Sequence, residues 1–443
     1  MAPSRDKRLV IIDTDGGTDD CNGILIAAAD PGTEILAITC VVGNVEVDQV
    51  CRNVERTVRL SDKLCKAKCP IYKGAAENLA GFPIPRFNVH GSDGLGGQGS
   101  TESTDSPATG SQHQGLVQSE PACMALVRIV NEHPDRISVV AIGPLTNLAL
   151  ALRIDPTFSS KIKDLVIMGG DSEGRGNITP CAEFNFCADP EASRVVLREF
   201  VCPKTLVSWE LTMKYALEMD WMCDNLFVTD TRVGQFLRDT HEFIIAVCKE
   251  QPDKTTGGLQ DKFPPCDQMA VAICVNPSLV TKVEACPCTV EVGGGYSRGH
   301  LVIDRGGMDP TLASVTPTRI VTEIDFEEFK KMCINCSGDQ AQVAAGGSQR
   351  GSEPLWWEHN EFAFRTALCH LTFNTPSSRH MTSVVATLAK DCSAKRKLCF
   401  ASHGARRRGV KSPHHTSAAG LSSLGVRHTC QQLASERLEL KSV

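Results

Sequence analysis

Four aspartates fall within eight residues of the stretch IIDTDGGTDD, at Asp13, Asp15, Asp19 and Asp20. Carboxylates this close repel one another, and the apolar run Leu9 to Ile12 carries them up against what should be core. A hard divalent cation takes carboxylate oxygens and turns that repulsion into attraction. Asp13 and Asp15 are two apart, which on a strand puts both side chains on one face. Asp19 and Asp20 follow a Gly-Gly turn and open a helix, whose N-terminus favours negative charge even without metal. A single aspartate there would be explained as an N-cap on a solvated turn. Four of them, bracketing a turn at the end of a strand, point to a metal site.

The elements that must position these residues alternate. Strand patterns cover Leu9–Ile12, Glu34–Val42, Arg136–Ile142, Asp164–Gly170 and Thr205–Trp209. Helical patterns cover Cys21–Ala29, Asp48–Leu60, Pro121–Glu132, a segment from near Leu145, and Asp189–Phe200. Such alternation predicts an α/β fold: a single large domain with a mostly parallel central sheet flanked by helices on both faces. In such sheets chemistry gathers at the carboxyl ends of the strands. The aspartate cluster and the segments VVGN, GPLTN and IMGG all fall at predicted ends of that kind.

Taken alone, DTDGGT also fits the opening of a haloacid-dehalogenase-type phosphatase, in which the first Asp is the nucleophile and magnesium is held by both. That fold has no role for Asp19–Asp20. The remaining motifs point elsewhere. DTDGGTDD, ITCVVGN (Ile38–Asn44), HGSDGLGG (His90–Gly97), GPLTNLALAL (Gly143–Leu152), IMGG (Ile167–Gly170) and GNITPCAEFNFCADPEA (Gly176–Ala192) occur in this order. Together, over roughly residues 8 to 333, they closely resemble the inosine-uridine-preferring nucleoside hydrolase family.

That resemblance implies a Rossmann-like nucleoside hydrolase fold, a calcium ion, and hydrolysis of the N-glycosidic bond of ribonucleosides to ribose and free base. It implies that Asp15, Asp20, Asp267 and the backbone carbonyl of Thr146 ligate the ion. Asp15 would also serve as general base towards the attacking water, with Asp13 as a supporting carboxylate behind it. Asp19 and Asn44 would meet the 2′ and 3′ hydroxyls with Asn185 beside them, Asn177 and Glu183 the 5′ end, and Met168 would line the sugar pocket. Amides and carboxylates suit a polyol, whose donors and acceptors must all be matched once buried. His90, in a glycine-rich loop, would cover the site. Relatives being dimers or tetramers, a homodimer or homotetramer is implied as well.

Two positions depart from the family pattern. In PPCDQMAVAICV (Pro264–Val275), Cys266 stands where the family's acid, a histidine before the metal-binding Asp, protonates the leaving base. A thiol near pKa 8.5 is a poorer-matched acid than an imidazole near 6.5. Pyrimidine substrates, or an acid from the His90 loop or the Gln260–Lys262 region, would compensate. The alternative is a non-catalytic or weakly active calcium-dependent nucleoside-binding protein. At the second position, Gly16 replaces the proline more usual in the opening motif, a change expected to loosen the turn.

Composition bounds the rest. The chain has 443 residues, is 42% hydrophobic and carries a formal charge of −6. That suffices for a large core and says nothing sharp for nucleic acid, which is not expected as a partner. No secretory signal or transmembrane run is visible, so a cytoplasmic protein without membrane contact is expected. The 21 cysteines read as reduced, mostly buried thiols, and the lone C-x-x-C of Cys333 and Cys336 is weak evidence for zinc. Gly97–Glu120 reads as a mobile insertion. The catalytic domain is expected to span 1–337 and to be followed by a basic, disordered tail, 338–443. That tail carries KRK at Lys395–Lys397, RRR at Arg406–Arg408 and a net charge of about +7, from fourteen Lys and Arg against seven Asp and Glu.

Overall fold

Strand β1 (Arg8–Thr14) is apolar on both faces because both are covered. Val10 and Ile12 enter one hydrophobic cluster and Ile11 the other, as strand alternation requires. In the computed structural model, which describes residues 7–85, 88–98, 115–227, 231–250 and 261–338, β1 lies near the middle of a nine-stranded sheet. It pairs in parallel with β2 (Thr33–Cys40) on one side and β5 (Ile137–Ala141) on the other. Beyond β2 come β3 (Ile71–Lys73) and β4 (Val117–Gln118). Beyond β5 come β6 (Asp164–Met168), β7 (Lys204–Val207), the strand Thr318–Ile324 and, antiparallel at the edge, Val280–Cys286. The chain therefore reverses its direction of travel across the sheet between β1 and β5. A crevice forms there, outside the carboxyl ends of the strands.

Helices cover both faces. Helix α1 (Thr18–Ala29) is buried from Thr18 to Ala28, and helix Cys266–Val275 from Asp267 to Cys274; the two pack together on the first cluster's side. Beyond their polar first turns both are largely apolar, as befits helices with no solvent face. Helix α2 (Val47–Leu60) is amphipathic and buries Val50, Val54 and Val58. On the opposite face Ala122–Glu132, Thr146–Ile154 and Pro190–Glu199 complete the second cluster.

Each predicted strand and helix of the first two hundred residues is present, with ends shifted by a few residues. Three expectations need correcting. Gly97–Glu120 is not wholly an insertion: Val117–Gln118 pairs with β3 and extends the sheet, while 99–114 lies outside the described residues. Gly16 does not loosen its turn. It sits at φ +69°, a left-handed conformation closed to proline, and a Cβ there would fall 2.9 Å from Val50 Cγ1. Asp13 and Asp15 do not share a strand face, because β1 ends at Thr14 and Asp15 lies beyond it.

The described cysteines are free thiols; Cys333 and Cys336 are buried on the helix Phe326–Ser337, where the Cys336 thiol bonds the Cys333 carbonyl. Among the described residues no helix is long and apolar enough to cross a membrane. Residues 339–443, with the basic tail, lie outside the described residues.

Candidate active site

The turn after β1 aims its carboxylates by backbone hydrogen bonds. Asp20, in the first turn of α1, accepts from Thr14 Oγ1 at 2.5 Å, Asp15 N at 3.2 Å and Gly17 N at 2.8 Å. Asp15 Oδ2 accepts from Asn44 N at 2.7 Å, in the turn after β2. Gly43 makes this approach possible: a Cβ there would lie 2.1 Å from Asp15 Oδ2. Asp267, at the start of its buried helix, brings a third element to the same point. Ligand atoms of Asp19, Asp20 and Asp267 lie within 4.8 Å of one another, and this is the group of such side chains found close enough to hold a metal ion among the described residues.

Burial without compensating positive charge shows in the electrostatics. It pushes Asp13 up to about 7 and Asp19 to about 6, and raises Asp20; Asp15 and Asp267 go well above the usual carboxylate range. Neighbouring carboxylates add to the rise at Asp15, Asp20 and Asp267. Asp13 Oδ2, Asp15 Oδ1 and Asp19 Oδ1 are buried with no hydrogen-bond partner. Buried oxygens left unpaired in a ring of acids are what a hard cation with oxygen ligands would satisfy.

Above this cluster opens a cavity. Asp15, Asp19, Asn44, His90, Met168, Asn177, Glu183, Asn185, Cys266 and Asp267 all line it. Ten residues singled out from sequence thus meet on one wall. Asp13, Asp20 and Thr146 are buried and not on that wall. Asp13 accepts from Thr39 and from Asn147 Nδ2, the latter at 2.8 Å, tying the ends of β1 and β2 to the helix Thr146–Ile154. The Thr146 hydroxyl donates to Asp189 at 2.7 Å.

The wall residues are held by the strand ends. Asn185 Nδ2 donates to the carbonyls of Ile142 and Met168, at 3.1 and 3.3 Å, which leaves Oδ1 for the cavity. Glu183 accepts from Asn185 N, Phe186 N and Gly170 N, capping the short helix Phe184–Ala188, and burial pushes it to about 7. Asn177 Oδ1 has no partner. His90 Nε2 stands 3.6 Å from Asp19 Oδ1, and burial lowers the imidazole to about 4, so the ring is neutral at pH 7. Burial also raises the Cys266 thiol well above its usual range. Its sulfur lies 3.5 Å from Thr212 Oγ1, whose own proton goes to the Trp209 carbonyl at 2.8 Å. The thiol is therefore the donor in that contact.

Sequence reasoning missed the apolar part of the wall: Val89, Ile142, Phe184, Trp209, Ile244 and Phe263. Ile142 and Trp209 end predicted strands and Phe184 sits inside AEFN, so three of them were within segments already noticed. Ile244 and Phe263 come from a helix and a short strand far along the chain and carry no local signal.

This arrangement has known counterparts. The model for the family described as inosine-uridine preferring nucleoside hydrolase matches residues 10–331. The chain belongs to that family. Like other nucleoside hydrolases it is an enzyme, and the phosphatase reading of its first motif falls away. It is 31% identical over 322 residues to the non-specific ribonucleoside hydrolase RihC of Escherichia coli, covering 73% of this chain and 95% of that one. It is 29% identical over 327 residues to the inosine-uridine preferring nucleoside hydrolase of Crithidia fasciculata, covering 72% and 94%. Among solved structures, an inosine-guanosine nucleoside hydrolase aligns with a TM-score of 0.65 and 30% identity, over 75% of this chain and 98% of that one. The plant nucleoside hydrolase PpNRh1 aligns with the same TM-score at 27% identity, over 75% and 99%.

Proposed function

We propose that this nucleoside hydrolase cleaves the N-glycosidic bond of ribonucleosides, releasing ribose and the free base. The make-up of the cavity wall carries the reading: buried carboxylates and amides suited to a polyol, together with aromatic side chains suited to a flat base. Asp15, Asp20, Asp267 and the carbonyl of Thr146 would hold a calcium ion. The fit rests on an all-oxygen donor set in which Asp15 Oδ1 is buried without a partner, on the unpaired Asp19 Oδ1 beside it, and on a Thr146 hydroxyl already committed to Asp189. When bound, such an ion supplies a water of lowered pKa and a charge for the ribose hydroxyls.

The protein's own groups do the rest. Asp15 holds one oxygen on Asn44 N and keeps the other unpartnered, so the first fixes the carboxylate and the second accepts the proton of the attacking water. Asp19 and Asn44 receive the 2′ and 3′ hydroxyls, with Asn185 Oδ1 as an acceptor beside them; Asp19 also stands close enough to Asp20 and Asp267 to share the cation. Asn177 and Glu183 take the 5′ end, Met168 packs under the sugar, and His90 covers it. Asp13 steadies the turn from behind. The catalytic domain would end near residue 337.

Cys266 supports a second reading, binding with little turnover. Its proton is high in pKa and engaged with Thr212, so it is poorly disposed to pass to a departing base. A panel of ribonucleosides assayed for reducing sugar, with and without chelator, separates the two readings. Hydrolysis predicts sugar release that chelation abolishes and calcium restores. Loss of ~10³-fold in kcat is expected in Asp15→Asn. Binding without release in every nucleoside would establish the second reading. In Cys266→His, turnover of inosine should rise about tenfold, within what a matched acid contributes; no rise would remove the thiol as the explanation of slow chemistry.

A further inference from the structure

We propose that Asn53, midway along α2, is a positioning residue that locks the aspartate turn to the loop bearing His90; the inference rests on the nucleoside-hydrolase reading of the site. Asn53 is 1% exposed and does not line the cavity. Its Nδ2 donates to the carbonyl of Gly16 and to the carbonyl of Asp93, each at 2.8 Å. Gly16 immediately follows Asp15, and Asp93 lies three residues past His90, so a single side chain ties together two segments that are far apart in sequence.

The orientation of that amide is determined by its neighbours. Gln49 Nε2 donates to Asn53 Oδ1 at 2.8 Å. Gln49 Oε1 is taken by the Arg52 guanidinium, at 3.0 and 2.6 Å. A guanidinium only donates, so Gln49 must present its NH₂ to Asn53, and Asn53 must present its own to the two carbonyls. The i, i+3 and i+4 spacing on one helix face makes the chain of contacts possible.

The junction is tight on its other side as well. Gly94 is at φ +79°; a Cβ there would lie 2.9 Å from Asn53 Nδ2 and 3.2 Å from Gly16 O. Thr18 Oγ1 donates to Gly94 O at 3.3 Å, a second and weaker strut between the same segments. What the junction sets is the distance between His90 and Asp19, both on the cavity wall. Asp20 is held independently, by Thr14, Asp15 N and Gly17 N. Removing Asn53 should therefore weaken nucleoside binding and spare cation binding.

Asn53→Leu keeps the shape of the side chain and removes both donors. For this variant the nucleoside KM should rise about tenfold, with kcat within about threefold and calcium affinity by calorimetry within about twofold of wild type. Gly94→Ala wedges the same junction from the other side; it should show the same split, and carries the test if Asn53→Leu does not fold. The double variant should cost no more than the stronger single one, as residues acting at one contact do not add. An unchanged KM in both variants makes Asn53 a packing residue and overturns the proposal. So does calcium affinity falling in step with KM, which would make it a support of the metal turn. Wild-type protein that releases no sugar fails the functional reading instead. The variants are then compared by nucleoside binding, where the same tenfold loss is expected and its absence overturns the assignment.

Discussion

Two sets of buried carboxylates at the same end of the sheet are solved differently. Glu183 and Asp189 have both oxygens occupied by protein donors. Glu183 takes three backbone N–H groups, and Asp189 takes Thr146 Oγ1, Leu79 N and Ala192 N. Asp15, Asp19, Asp20 and Asp267 are as deeply buried, yet Asp15 and Asp19 each keep an oxygen without a partner and the four carboxylates crowd one another. Burial raises all six, so protonation tendency alone does not tell the sets apart. Hydrogen-bond satisfaction separates Glu183 and Asp189 from Asp15 and Asp19: the first two cap helices and tie elements together, whereas the second two keep unpaired oxygens beside the charges of Asp20 and Asp267 and lack a positive partner.

The sharpest way to break that distinction is substitution. Asp267→Ala should lower kcat/KM by ~10³-fold or more while leaving the chelated protein as stable as wild type or more so, because a like charge leaves a crowded buried site. Asp189→Ala should do the reverse. It strands donors on three elements and removes an N-cap, so it should cost about 1–3 kcal/mol in urea unfolding, with the activity per folded molecule falling far less. If both variants behaved alike, the two sets would not differ in kind.

A smaller effect should appear in the pH dependence of stability. Asp13 and Asp19 titrate near 7 and 6 in the folded chain, against an ordinary carboxylate value of 3.8. The folded state then binds more protons than the unfolded one between about pH 4 and 7, so stability falls as pH rises through that window. In chelator, the midpoint of thermal unfolding should drop by several degrees between pH 5 and pH 8. Calcium should restore more at pH 8 than at pH 5, because it competes with protons for the same oxygens. A chelated protein that grew more stable over that range would contradict the picture of carboxylates lacking a cation. Smaller again should be the effect of Glu183→Gln. The amide retains a carbonyl oxygen for part of the cap, and a loss of about 1 kcal/mol is expected.

Much of the active-site composition was legible in the chain. The alternation of apolar runs with helical stretches gave the parallel sheet, and strand ends carrying Asp, Asn and Gly gave the catalytic edge. Asp189 followed by Pro190 was legible as a helix start, since proline suits the first helical position. Other positions misled. Gly16 read as looseness, whereas its positive φ and contact with Val50 make it a fixed corner. Val117–Gln118 was hidden in a polar stretch because two residues at a sheet edge need little apolar pattern. Glu183 serves as both wall and cap, and no spacing rule separates those uses.

What the sequence determined by itself was the inventory: which residues carry chemistry, and which strand or helix end each one occupies, because periodicity and turn residues are local properties. Tertiary structure decided which of them meet. The meeting of Asp267 with Asp19 and Asp20, the aromatic wall from Trp209 and Phe263, and the grip of Asn53 on the carbonyls of Gly16 and Asp93 all join separate elements. That is a property of long-range packing, in which residues distant in sequence are brought together by burial of surfaces that no short window of sequence contains.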